Sequence, residues 1–282
     1  MRIEFVGRRP LLRRGTPVHR TEDPGHLVLD MRQLTFASPL ELAAVAALAQ
    51  TFESLDVPTT LHMPGESDIS SYLARMDLRA ALPPGSRVVG SAPEHRRLDR
   101  SDKLVEVMRV SAETEDELMD RIGRVALAQL DPAFGRRAVQ SIGELVDNAV
   151  SHGASPIGAF AAAQTYTGRT SKRRGLEFAI CDTGIGILKH LRKNPAYRGL
   201  RDDKGALAHA LQPGVTGTSD KRGNGLADLF NVTDNAGYSI LVLRSGTGLA
   251  SVAARRDDRR RDYAATADEI TGTWAWLRVR DP

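Results

Sequence analysis

Ser141-Ile142-Gly143-Glu144-Leu145-Val146-Asp147-Asn148-Ala149-Val150-Ser151-His152-Gly153 combines the apolar spacing of a helix with polar residues that a helix interior disfavours. Ile142, Leu145, Val146, Ala149 and Val150 recur at helical intervals and define a buried stripe. Glu144 and Asn148 stand four apart and share a second face. Asn is a mediocre helix former because its side chain competes for backbone hydrogen bonds. Placed mid-helix, one turn after a carboxylate, it suggests a contact with a metal or a phosphate. An ordinary amphipathic helix ending at Gly153 explains the same stretch equally well, and on these residues alone both readings stay open.

Two downstream stretches break the tie. Gly175-Leu176-Glu177-Phe178-Ala179-Ile180-Cys181 reads as a strand that runs into Asp182-Thr183-Gly184-Ile185-Gly186-Ile187. A carboxylate at a strand end, followed by two glycines, permits close backbone approach to a flat ligand. Further on, Lys221-Arg222-Gly223-Asn224-Gly225-Leu226-Ala227-Asp228-Leu229 is a glycine turn opening a helix, which offers backbone N–H groups to phosphates.

In this order and at these separations the three stretches resemble the N, G1 and G2 boxes of the GHKL ATP-binding superfamily, which includes DNA gyrase, the large heat-shock chaperone, MutL and the histidine kinases. The resemblance covers residues 104–282 and implies a Bergerat-type α/β sandwich with a mixed sheet. It implies ATP and Mg2+ as cofactors, with Asn148 coordinating a Mg2+ that bridges the phosphates. By the same resemblance Asp182 accepts a hydrogen bond from the adenine amino group, and Gly184, Gly186, Gly223 and Gly225 allow backbone approach. Lys221 and Leu226 belong to this nucleotide-binding set. Gly272-Thr273 resembles the superfamily's late Gly-Thr, in which the hydroxyl, here that of Thr273, helps hold a water against adenine. Glu144 takes the catalytic place, orienting or deprotonating the attacking group.

The chain has 282 residues, 41% hydrophobic and 26% charged, enough for two modest globular domains. No apolar run approaches the length of a membrane span, and the arginine-rich Met1 to Arg14 lacks the apolar core of a signal peptide, so a cytoplasmic protein is expected. The single cysteine, Cys181, rules out an internal disulfide and a cysteine-rich metal site, and it reads as a buried strand residue. The formal net charge of +4 does not by itself imply nucleic acid.

Residues 1–24 read as an N-terminal extension with a short strand at Arg2 to Val6. From there Leu27 to Met31 is a strand, Pro39 to Leu55 a helix, Val57 to Met63 a strand and Ser70 to Leu78 a helix. This β-α-β-α order over residues 25–90 resembles a STAS domain, the fold of anti-sigma-factor antagonists, and implies a protein partner. In such regulators a serine near the helix start is phosphorylated, which would place that role at Ser38. Ser38-Pro39-Leu40-Glu41 is also a capping box, with Ser at the N-cap and Glu three residues later, and the family's usual acidic residue is replaced by Ala37. The cap is the preferred reading.

Residues 91–103 read as a linker, after the Pro83-Pro84-Gly85-Ser86 break. Leu104 to Val110 then alternates as a strand, and Thr114 to Leu130 is a helix with Leu118, Ile122, Val125 and Leu130 inward. Between Gly186 and Gly223 the cations Lys189, Arg192, Lys193, Arg198, Arg201 and Lys204 read individually as solvated surface, whereas Lys221 and Arg222 are expected at phosphate. The segment from Leu188 to Arg222 is rich in glycine and cations, with few apolar residues to bury, and could close over a nucleotide. Tyr238 to Arg244 and Gly248 to Ala254 read as a hairpin, Arg255 to Asp262 as an exposed loop, and Thr273 to Val279 as a final strand.

The fold class expected is α/β. The function expected is an ATP-binding regulator joined to a STAS-like module, similar to the serine-kinase anti-sigma system. The alternatives are a GHKL ATPase acting as a conformational switch and a non-catalytic ATP-binding interaction protein. None of the seven histidines sits in a long dimerisation hairpin, so a self-contained sensor kinase is not expected.

Overall fold

A computed structural model describes residues 1–12, 18–19, 25–91, 101–167, 173–215, 238–255 and 258–280. The chain is α/β, with both parallel and antiparallel pairing. The N-terminal sheet has the order β3-β1-β4-β6-β7, built from β1 (Arg2–Glu4), β3 (Val18–His19), β4 (Leu27–Asp30), β6 (Thr59–His62) and β7 (Arg87–Val89). Its pairs are parallel except β1 with β3. A small parallel pair joins β2 (Gly7–Arg8) to β5 (Leu34–Phe36). Residues expected to form an extension therefore contribute a strand between β3 and β4.

The second sheet has the order β11-β12-β10-β9-β8 and is antiparallel throughout its described residues. Its strands are β8 (Leu104–Val110), β9 (Ala159–Tyr166), β10 (Gly175–Asp182), β11 (Tyr238–Arg255) and β12 (Asp258–Arg280). On its inner face lie α4 (Glu115–Gln129) and α5 (Pro132–Asp147), whose Leu118, Ile122, Val125, Phe134, Ile142, Leu145 and Val146 join Ala161, Phe178, Ile180 and Leu277 in one core. The stripe expected on α4 is buried, Leu130 included.

The outer face of this sheet is covered by α1 (Pro39–Glu53) of the N-terminal unit, which lies against β9 and β10. Every residue of α1 from Pro39 to Ala49 is buried, as expected of a helix that is apolar all round. Its alanines meet the outward-facing Ala162, Ala179 and Cys181, and small residues on both sides allow helix and sheet to approach closely. The same cluster holds Phe160, Val242, Trp274 and Trp276 of the second sheet together with Leu27, Leu29 and Leu61 of the first. One apolar core therefore spans both units.

Polar contacts complete the seam. Glu177, fully buried, accepts from Arg9 at 2.7 Å and Tyr166 at 2.6 Å and lies 3.2 Å from Arg278, while Tyr72 donates to Gln164 at 2.6 Å. A bulge in β8 between Val105 and Met108 releases the Val107 amide to donate to the Met76 carbonyl at 3.0 Å, and Arg75 pairs with Glu106 at 3.1 Å. An otherwise open sheet edge is thereby occupied.

Two details differ from expectation and a third agrees with it. The second N-terminal helix is two, α2 (Ser67–Arg75) and α3 (Leu78–Ala81), separated by Asp77 in the left-handed conformation. Tyr238 to Arg244 and Gly248 to Ala254 are not the two arms of a hairpin. They form one bulged strand, β11, paired along its length with β12, so Asp258 to Asp262 are exposed strand residues. Its glycines make a bulge: Gly246, at φ 56°, passes over Asp203, whose carboxylate accepts from the Thr247 amide at 3.0 Å. Ser38 is fully buried, and Glu41 accepts from its amide at 2.7 Å and its hydroxyl at 2.5 Å, which bears out the cap.

Because both tryptophans of the chain sit in the shared core, their fluorescence reports on the seam. Ala46→Leu, which overfills it, should destabilise the chain by about 1–3 kcal/mol. In denaturant titrations of the parent and the variant, fluorescence and far-UV circular dichroism should share one midpoint, and the substitution should lower both together.

Candidate functional site

The N-terminus of α5 is set by Asp131, whose carboxylate accepts from the amides of Ala133 at 3.0 Å and Phe134 at 3.1 Å, with Pro132 in the first turn. The helix runs to Asp147 and then widens into a π-turn, Asn148–His152. Such turns are rare and concentrate at functional sites. Ile142, Leu145, Val146 and Ala149 are buried as expected, and Val150 is half-buried. Glu144 and Asn148 are half-buried. The Asn148 amide nitrogen donates to the Glu144 carbonyl at 2.5 Å, which assigns the other end of the side chain as the acceptor. A neutral amide oxygen is a ligand type that a hard cation such as Mg2+ accepts. Among the described residues no three His, Cys, Asp or Glu side chains gather to hold a metal by themselves.

Asp182 ends β10 with 2% exposure. Burial lifts its carboxyl from 3.8 to about 6, against the opposing pull of the Gly184 and Thr273 backbone amides. The Gly184 amide donates to it at 2.8 Å. The Thr273 backbone lies close to Asp182, since the adjoining Trp274 pairs with Cys181.

The glycines explain how the loop is held. A Cβ on Gly184 would stand 1.6 Å from the Gly153 carbonyl oxygen, and one on Gly272 2.2 Å from that of Asp182. The Ile185 amide donates to the same Gly153 oxygen at 2.9 Å, stitching the loop to the end of the α5 π-turn. Gly186, at φ 73°, faces the Ser245 hydroxyl and the Gly272 carbonyl. Gly184 and Gly186 were expected to admit a ligand; their missing side chains are first required by neighbouring protein atoms. Gly153 does more than end the helix, and Ser245, which no sequence pattern marks, accepts from the Ile187 amide at 2.8 Å and donates to the Gly272 carbonyl at 3.1 Å. The spacing His152-Gly153, directly after the Asn148 turn, was the available signal for Gly153.

Beyond the loop, α6 (Gly186–Leu191) and α7 (Asp203–Ala210) correct the expectation of a segment with little to bury. Leu191, Ala206 and Ala210 are buried beside Ile187, Tyr197, Leu200 and Val215, and Leu207 and Leu211 enter the inner core. Lys189, Arg192, Lys193, Arg198, Arg201 and Lys204 are exposed, in keeping with the solvated reading. The His190 ring lies against that of His152, with centroids 4.7 Å apart and planes tilted by 39°, and burial, with His152 and Lys193 nearby, lowers the His190 pKa to about 4. Lys221, Gly223, Gly225 and Leu226 lie outside the described residues.

No protein-family model matches the chain, and the search of curated proteins returned no match. Among solved structures, the chain is similar to the 43K ATPase domain of Thermus thermophilus gyrase B in complex with an aminocoumarin, at 14% identity and a TM-score of 0.23, over 51% of this chain and 33% of that one. It is also similar to the ATP-binding domain of topoisomerase IV of Francisella tularensis in complex with a small-molecule inhibitor, at 10% identity and a TM-score of 0.25, over 63% of this chain and 74% of that one. The chain thus spans a third of the length of the first of these structures.

The lifted Asp182 carboxyl carries a stability signature. Between about pH 4 and pH 6 the folded chain holds a proton that the unfolded chain has released, so stability should fall as pH rises through that window and level off above it. From 3.8 to about 6 the contribution is about 3 kcal/mol at 1.36 kcal/mol per pH unit. Asp182→Asn should remove this slope and raise the unfolding midpoint of the ligand-free protein above pH 6, as measured by thermal unfolding across pH 4–8.

Proposed function

We propose that this chain binds Mg-ATP between the α5 π-turn and the Asp182 loop. The observation that carries the reading is the buried Asp182 carboxylate, kept ionisable at a strand end where closely approaching glycines lock its surroundings. A buried carboxylate without a strong donor costs several kcal/mol, and an exocyclic amine supplies one. Asp182 would accept from the adenine amino group, with Thr273 beside it. Asn148 would hold Mg2+, which when bound neutralises phosphate charge. Glu144, one turn earlier on the same helix, would orient or deprotonate the attacking group, a water in an ATPase or a hydroxyl in a kinase. Lys221, Gly223, Gly225 and Leu226 complete the phosphate side by resemblance.

In the wider role, the chain is an ATP-dependent signalling regulator whose N-terminal, STAS-like unit carries the protein partner. The buried, capped Ser38 is not available to a kinase in this fold, which separates the unit from a serine phospho-switch. Two alternatives share the site: an ATPase acting as a conformational switch, and a module for which ATP is a structural ligand. Incubation with labelled ATP, with and without a candidate acceptor protein, separates them through label on the acceptor, free phosphate, or neither.

If Asp182 holds adenine, Asp182→Asn should lose ATP affinity in calorimetry while remaining folded, and GTP should bind the parent poorly because its carbonyl would meet the carboxylate. Adenosine, which carries no titrating phosphate, should lose affinity as pH falls below about 6 and should release a proton on binding near that pH. Unchanged ATP affinity in folded Asp182→Asn would remove the assignment.

Glu144→Ala should keep ATP bound while abolishing turnover, whereas Asn148→Ala should also lose the Mg2+ dependence of binding. Binding and turnover equal to the parent in both variants would leave α5 a structural helix.

A further inference from the structure

The last turns of α1 reach the Asp182 loop. The hydroxyls of Thr51, on α1, and Thr183 are hydrogen-bonded at 2.8 Å, across 132 positions of sequence. Thr51 Oγ1 also lies 2.7 Å from the Ala47 carbonyl oxygen, and Ser155 Oγ lies 3.4 Å from Thr183 on the other side. Each hydroxyl has one proton to give, and a directed chain satisfies every contact: Ser155 donates to Thr183, Thr183 to Thr51, and Thr51 to the Ala47 carbonyl. Thr183 is 8% exposed and separates Asp182 from Gly184. Between Asp182 and Ile185 it supplies the only side chain larger than hydrogen, so it is the handle by which the loop can be held. The helix at the other end is fixed, since Pro39 to Ala49 are all buried between two sheets.

We propose that Thr51 is a positioning residue for the nucleotide site: α1 of the N-terminal unit sets the orientation of the Asp182 loop, and hence the affinity for adenine, through the Thr183 hydroxyl. This rests on the ATP reading above. Thr51 touches no ligand; it acts by restricting the loop to the orientation in which the carboxylate meets the adenine amino group. The N-terminal unit is thereby part of the binding apparatus, and anything that shifts α1 alters nucleotide affinity.

The test uses the full-length chain and the variants Thr51→Val, Thr51→Ser, Thr183→Val and the Thr51→Val/Thr183→Val double. Thr51→Val keeps the shape and removes the hydroxyl, and it should weaken adenosine and ATP binding about fivefold to tenfold, the effect of one hydrogen bond. Thr51→Ser should stay within about twofold of the parent, and the double variant should bind no more weakly than Thr183→Val alone, because the two residues act as one link. Amide exchange of Thr183 to Ile187 in the nucleotide-free protein should quicken in Thr51→Val and be restored in Thr51→Ser. A lower unfolding midpoint with unchanged adenosine affinity in folded Thr51→Val would assign a purely structural role and overturn the proposal, as would additive effects in the double variant. Should the parent bind no adenine nucleotide, the ATP reading fails, and the positioning of adenine falls with it. Exchange in the nucleotide-free variants then shows separately whether Thr51 anchors the loop.

Discussion

The antiparallel sheet that carries the candidate site has two apolar faces, and the structure depends on both being covered. Strand β10 is buried along its whole length, so no side chain of it is available for water. One face is met by α4 and α5, the other by α1. Covering that second face with a helix from a different part of the chain brings the N-terminal sheet with it and merges two architectures into one core. A helix with buried residues on every side gains little from intrinsic propensity and is held by its surroundings, so α1 is as dependent on the sheets as they are on it.

The polar groups along this seam define how the halves fit. Glu177 is buried on the outer face with two guanidinium groups and a phenol around it, in a place where an apolar residue would give at least comparable stability. Apolar packing of alanines against alanines tolerates sliding; a carboxylate that must meet Arg9, Arg278 and Tyr166 together does not. The Arg9 guanidinium also lies 4.8 Å from the Phe36 ring centroid, so the ion network and the β2–β5 pair are fixed by the same side chain. Near the candidate site a steric constraint adds to the hydrogen bonds, since Gly153, Gly184 and Gly272 bring three chain segments within distances that a methyl group would forbid.

Much of this was legible in the sequence where periodicity was long enough to speak. The helices at Pro39, Thr114 and Ser141, the strands at Leu27, Leu104 and Gly175, and the Ser38 cap follow from spacing and capping chemistry. The three-residue strand β1 carries too little pattern to be distinguished from an arm, and its place in the sheet comes from parallel pairing with β4, a non-local contact. Ser245-Gly246-Thr247-Gly248 has turn composition, and only the presence of Asp203 beneath it converts the turn into a bulge. In the segment after Gly186, Leu191, Ala206 and Leu207 are buried, and in stretches this short their burial is decided by what they face. Asp182 and Asn148 stand out in the sequence because a carboxylate at a strand end and an amide in a helix are locally costly. Gly153, Ser245 and Thr51 were missed because each is ordinary in its own element and acquires meaning from what it faces.

The way α1 is enclosed also bears on how such a chain can change over generations. Domains that meet through exposed, wet surfaces can be exchanged by recombination, since each half survives the cut. Here a crossover between Val89 and Leu104 would separate Ala46 from Ala162 and Ala179, and Arg9 from Glu177, leaving a sheet face containing Trp274 and Trp276 with no cover. Cutting the chain there would bare apolar surface on both sides, so the two halves are expected to be exchanged together or not at all.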